Sequence, residues 1–100
     1  MDAMRPPEDC QSMAELRVEI DRLDVELVTL LALRRHYIDR AVDLKKVEGI
    51  PSRAADRVTD VLDKVAATAS EQGLDPELVR ALWSELIEWS IRREFKELGV

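Results

Sequence analysis

The sequence predicts an all-α chain of three helices, the first of them very long. Three observations carry that reading. Only three of the 100 residues are glycine, four are proline and 4% are aromatic. Ala, Leu, Val, Glu, Asp and Arg dominate instead, which is a composition of helix formers, and no strands are expected. Between Ser12 and Glu48 there is neither Gly nor Pro, so nothing interrupts a helix there. The two breaks that follow, Gly49-Ile50-Pro51-Ser52 and Gly73-Leu74-Asp75-Pro76, carry the punctuation that ends one helix and opens the next.

Residues 1–11 read as a flexible arm and residues 12–100 as a single helical domain. Ser12-Met13-Ala14-Glu15 matches a capping box, in which the Ser12 hydroxyl accepts from the Glu15 amide while Glu15 reaches back. The first helix therefore starts at Ser12 and runs for more than thirty residues, roughly 50 Å at about 1.5 Å per residue. A single small domain cannot cover such a helix, so its apolar flank is expected to meet a second chain. The second helix follows Ser52 with an apolar stripe at Val58, Val61, Leu62, Val65 and Ala69, and Gly73 is its natural stop. Asp75 as N-cap, Pro76 in the first turn and Glu77 open the third, with Val79, Leu82, Trp83, Leu86, Ile87 and Ile91 inward.

Charge and cysteine content exclude several functions. A net charge of −6 and a pI near 4.8 leave no basic face for nucleic acid, because Lys and Arg alternate with Asp and Glu. Cys10 and His36 are each the only residue of their kind, so structural zinc and a Ser–His–Asp triad are not expected. MDAMRPPEDC lacks the apolar core of a signal peptide, and no run reaches membrane-spanning length. Cytoplasm is the expected compartment.

The informative residues are charges that interrupt apolar stripes. Leu16, Ile20, Leu23, Leu27 and Leu30 form a heptad-like run that should place an apolar residue at 34, where Arg34 stands; the run then resumes at Tyr37, Ala41 and Leu44. Arg34 and Lys45 are eleven residues apart, about 20° of offset and roughly 16 Å along one face. Two long side chains leaning toward each other could close on one small anion. Arg17, roughly 25 Å before Arg34 and off that face, cannot easily join them from the same chain but could from an antiparallel partner. On the third helix the row Leu86, Ser90, Glu94, Leu98 puts a carboxyl on the inward edge, and Arg57 sits beside Val58 and Val61. Each charge alone has a bland reading: stems cover apolar surface with their heads in water, and Glu94 pairs with Arg93 or a neighbouring helix. Taken together, the five residues define a buried anion site between helices.

The whole chain resembles the small all-helical chorismate mutase family, including its isochorismate–pyruvate lyase branch. The carrying segments are PEDC (7–10), LRVEIDRLD (16–24), LRR (33–35) with Lys45 eleven residues after Arg34, IPSRAADRV (50–58), EQGLD (71–75) and LIEWSIRRE (86–94). The resemblance implies an intertwined helical homodimer with two equivalent pockets, each made mostly by one chain and completed by Arg17 of the other. It implies that this Arg17 and Arg34 bind the carboxylate on the enolpyruvyl side of the substrate, that Arg57 binds the ring carboxylate, and that Lys45 donates to the ether oxygen. Glu94 stands where the family usually has a glutamine aimed at the same oxygen, with Ser90 one turn earlier. Val61 is expected as an apolar wall beside the ring.

The implied reaction, chorismate to prephenate, is pericyclic and uses neither nucleophile nor cofactor. A protein accelerates it by holding the compact conformer and by stabilising negative charge on the breaking ether oxygen. In that light Arg34 interrupts the seam because the seam is the pocket; a guanidinium suits a carboxylate and an ammonium suits one oxygen. Lys45, Glu94 and Arg34 are thus the catalytic candidates, and Arg17, Arg57, Val58, Val61 and Ser90 complete the substrate-binding set. Val58 and Ala54 stand where several mutases of the family have a glutamate and an aspartate, as they do not in the lyase branch. That favours isochorismate–pyruvate lyase as the alternative; a 4-amino-4-deoxychorismate mutase and a non-catalytic dimerisation module are further ones. Only a protonated Glu94 can donate, so activity is expected to rise as pH falls below neutrality and to flatten in Glu94→Gln. Trp83 and Trp89 read as packing, His36 as solvated.

Overall fold

The computed structural model describes residues 4–100, and all regular structure within them is helical: a 3-10 turn at Pro7–Asp9, α1 at Met13–Glu48, α2 at Ala55–Glu71 and α3 at Pro76–Leu98. The chain forms two compact units, one ending at His36 and one beginning at Tyr37, and α1 contributes to both. None of these helices is long and apolar enough to cross a membrane.

In the first unit the Glu15 amide donates to Ser12 Oγ at 3.2 Å, as a capping box requires. The return bond runs from the Gln11 amide to Glu15 Oε1 at 3.3 Å, one residue earlier than the motif predicts. The same carboxylate pairs with Arg5 at 2.5 Å. One turn on, buried Glu19 accepts from the Arg5 main-chain amide at 3.3 Å and pairs with Arg22 at 3.4 Å. Arg5 and Gln11 are thereby fastened to the first turns of α1; residues 1–3 of the expected arm lie outside the described residues. Further along, Val25, Leu27, Val28 and Leu30 are 57–66% exposed. These side chains form an exposed apolar row along α1.

The second unit is built on an α2–α3 hairpin. Gly73, with φ +71°, reverses the chain after α2, and the Asp75 carboxylate accepts from the Glu77 amide at 2.9 Å to open α3 at Pro76. Small Ala66 and Ala69 are buried on α2, and Val79 and Ile87 on α3. Val58, Val61, Leu62 and Val65 on α2 and Trp83, Leu86 and Ile91 on α3 are half-buried around them. Leu82, expected inward, is 51% exposed. The buried stripe of α3 runs through 79, 83, 87, 90 and 94, and a residue three places after Val79 falls off its edge.

The last three turns of α1 also differ from the expected row. Val42 is buried and Ile38, Ala41 and Lys45 are half-buried, whereas Tyr37 is 71% exposed and Leu44 lies outside as well. Tyr37 and Leu44 continue the row of Leu23 and Leu30, which is itself exposed, and the inward side of these turns is the one that carries Ile38, Val42 and Lys45. Asp39 on this face makes a fork with Arg93, at 2.6 Å to Nε and 3.2 Å to Nη2, and the Arg93 guanidinium lies 5.5 Å over Trp89. Arg53, in the segment between α1 and α2, forks onto Glu88 at 2.9 and 2.6 Å. That hydrogen-bonded pair raises the Arg53 guanidinium above its ordinary range and holds the Glu88 carboxyl below its own.

Candidate active site

Lys45 lies in the last turn of α1, where the local sequence decides what its ammonium meets. Gly49 takes the left-handed conformation, φ +70°, and the Ile50 amide donates back to the Lys45 carbonyl at 3.0 Å. That glycine turn needs a residue without Cβ and sends Pro51 and Ser52 back beneath the helix end. Ser52 is 5% exposed, and its carbonyl accepts from Lys45 Nζ at 2.9 Å.

The second partner of Lys45 comes from α3. Glu94, 4% exposed, places Oε1 2.8 Å from Nζ. A carboxylate this far from water is costly unless a cation sits beside it, and Lys45 is that cation. The contact is one of charge and distance, because Oε1 is buried and receives no well-aligned hydrogen bond among the described residues. The ammonium, with three N–H bonds, spends its best-directed one on Ser52. One turn before Glu94, buried Ser90 donates from Oγ to the Leu86 carbonyl at 2.8 Å. Two groups of opposite charge therefore meet, one from α1 and one from α3, with the Glu94 end of the pair buried.

Val58 and Val61 are half-buried on α2. Arg57, on the same helix, is exposed and pairs with Asp60 at 2.8 Å, sharing it with Lys64 at 2.9 Å. Lys64 chiefly, with Arg57, holds the Asp60 carboxyl below its ordinary range. In the first unit Arg34 is half-buried on α1, while Arg17 is exposed, as is His36. The structure thus brings Lys45 and Glu94 together, buries Ser90 one turn before Glu94, and leaves Arg57 in contact with its own helix. Sequence reasoning missed Ser52, whose contribution is a main-chain carbonyl; the only signal was the Gly49–Pro51 break four to six residues after Lys45. It also missed the Asp39–Arg93 fork, which engages the arginine that the sequence offers to Glu94.

Residues 16–95 match the family model for chorismate mutase type II, a stretch that includes Arg17, Arg34, Lys45, Arg57 and Glu94. The chain belongs to the chorismate mutase type II family. It is 38% identical over 94 residues to a protein of Pseudomonas aeruginosa named isochorismate pyruvate lyase, covering 93% of this chain and 91% of that one. It is 26% identical over 78 residues to the chorismate mutase of Methanocaldococcus jannaschii, covering 78% and 79%. The three-helix, strand-free architecture of residues 4–100 is that of a helical enzyme of this chorismate mutase family, as the sequence predicts.

Proposed function

We propose that the chain is a chorismate mutase, converting chorismate to prephenate by a pericyclic rearrangement in which the ether C–O bond breaks as a C–C bond forms, with no net gain or loss of atoms. The observation that supports this best is the convergence of Lys45 and Glu94, 2.8 Å apart at a point buried from solvent. The breaking ether oxygen gathers negative charge in the transition state more than in the substrate, so donors fixed in advance around it lower the barrier selectively. Lys45 supplies a full charge, held in place by the Ser52 carbonyl. Glu94 supplies a hydrogen bond once it carries a proton, and Oε1 has no aligned partner that such a bond would have to give up.

In this reading Arg34, together with Arg17 from a second copy of the chain, binds the carboxylate on the enolpyruvyl side, and Arg57 exchanges Asp60 for the ring carboxylate. The carboxylates then lock the compact conformer that the rearrangement needs. Val61 walls the ring, with Val58 and Ser90 completing the lining. A homodimer is part of the proposal, because the exposed row Val25, Leu27, Val28, Leu30 on α1 supplies the kind of apolar flank a second α1 would cover.

A second reading, isochorismate–pyruvate lyase, has its own support in the 38% identity to the Pseudomonas aeruginosa protein of that name and in the uncharged Ala54 and Val58. There the same ether bond breaks while a ring hydrogen moves to the enolpyruvyl methylene, giving salicylate and pyruvate. The test is direct: chorismate and isochorismate are offered separately, with prephenate followed by absorbance and salicylate by fluorescence. Prephenate from chorismate with little salicylate supports the mutase; salicylate from isochorismate with only slow prephenate replaces it with the lyase.

A further inference from the structure

The hydrogen bonds that hold Lys45 do not stop at Ser52. The Ser52 carbonyl accepts from Lys45 Nζ at 2.9 Å, and the Ser52 amide donates to the Val100 main-chain oxygen at 2.9 Å. Val100 reaches that position because α3 ends at Gly99 in the left-handed conformation, φ +73°, with the Gly99 amide donating to the Phe95 carbonyl at 2.8 Å. Five residues earlier, the same helix presents Glu94 to the other side of the ammonium. Lys45 therefore sits between two groups governed by α3: a carboxylate carried directly on the helix, and a peptide carbonyl held through the turn that follows it.

We propose that the Leu98–Gly99–Val100 turn and the Ser52 peptide form a positioning relay for Lys45, so that the end of α3 sets where the ammonium stands during catalysis. The inference rests on the catalytic reading of Lys45 given above. An amide whose N–H is already bonded is a stronger acceptor at its carbonyl, and the buried Ser52 has little water to offer as a substitute. Loosening Val100 lets the Ser52 peptide rotate, and the lysine, on four flexible carbons, follows its acceptor. Displacements of an ångström at a reacting centre are enough to cost rate while leaving carboxylate binding unchanged. Val100, Gly99 and Ser52 are positioning residues, since none of them approaches the ligand through its side chain.

Gly99 provides a clean perturbation. A Cβ there meets nothing within 4 Å, so Gly99→Ala strains the backbone without a clash. Asparagine tolerates the left-handed region better than alanine and serves as the rescue. Gly73→Ala is the control: it has φ +71°, equally open space and a helix-ending role, and no connection to Ser52. The wild type and the three variants are compared by steady-state kinetics, by amide hydrogen exchange at Ser52, and by the Lys45 13Cε–1Hε NMR signals. We expect Gly99→Ala to speed exchange at Ser52, shift the Lys45 signals, and lower kcat roughly fivefold or more with KM within about twofold. Gly99→Asn should recover most of the loss, and Gly73→Ala should change none of the three. Unaltered Ser52 exchange or unaltered Lys45 signals in Gly99→Ala would overturn the relay, as would an equal fall in kcat in Gly73→Ala. A wild type inactive on both substrates would sink the catalytic reading, and the NMR comparison would still decide the relay.

Discussion

Exchanging Glu94 for glutamine separates charge from shape at the buried end of Lys45. Oε1 stands 2.8 Å from the ammonium on a residue 4% exposed, while the Lys45 side chain keeps 20% of its surface and one bond to Ser52. Interactions involving an ionised partner contribute about 1.5–3 kcal/mol net, and an amide oxygen keeps its dipole toward Lys45 while losing the charge. Glu94→Gln should therefore lower the unfolding free energy by about 1–2 kcal/mol. Glu94→Leu, which leaves the ammonium with only Ser52 and water, should cost about 3 kcal/mol, the low end for removing one partner of a buried pair. The kinetic prediction concerns sign rather than size. A carboxylate cannot donate to an ether oxygen, and a carboxylic acid or a carboxamide can. The wild-type rate on chorismate should accordingly rise as pH falls below neutrality, whereas the amide of Glu94→Gln donates at every pH and gives a flat profile. Urea unfolding supplies the first comparison and kcat/KM as a function of pH the second. Superimposable pH profiles for the two proteins would refute the donor role of Glu94, whatever the stability result.

Three further outcomes follow from the packing and the charges. Ile87→Ala, at a buried position in the α2–α3 interface, should destabilise by about 2–4 kcal/mol in urea at fixed protein concentration. Leu27→Glu combined with Leu30→Glu should convert a dimer into a monomer by light scattering; an unchanged mass would remove the α1 row from the interface. Glu88 is held below the ordinary glutamate value of 4.5 chiefly by its hydrogen bond to Arg53. A depressed folded value means stability that is present above that range and lost as pH falls through it, so the stability difference between wild type and Glu88→Gln should shrink on acidification. A difference that grows instead would contradict the assignment.

Much of the fold was legible because its punctuation is local. Ser12 and Glu15, Gly73, and Asp75 with Pro76 each act through bonds within a turn, and helices begin and end where those residues say. The faces were read less well. Leu82 and Tyr37 belong to plausible apolar rows, yet which side of a helix is inward depends on the neighbour it meets, and that is a non-local fact. Within the site, Glu94 announced itself as a carboxyl in an apolar row and Lys45 as a cation in step with Arg34. Ser52 gave no such sign, because any residue carries a carbonyl; only the folded turn reveals that this one is aimed at Lys45. Arg57 shows the opposite case, a charge conspicuous in sequence whose contact in the folded chain is Asp60 on its own helix.

Whether Lys45 and Glu94 act on the ether oxygen of chorismate is tested by offering the purified protein chorismate and isochorismate in separate reactions at mildly acidic and neutral pH. If they do, prephenate forms rapidly from chorismate, faster at the lower pH, with little salicylate from isochorismate. Salicylate and pyruvate from isochorismate, with only slow prephenate, would contradict the mutase assignment, and no turnover of either substrate would contradict the catalytic account as a whole.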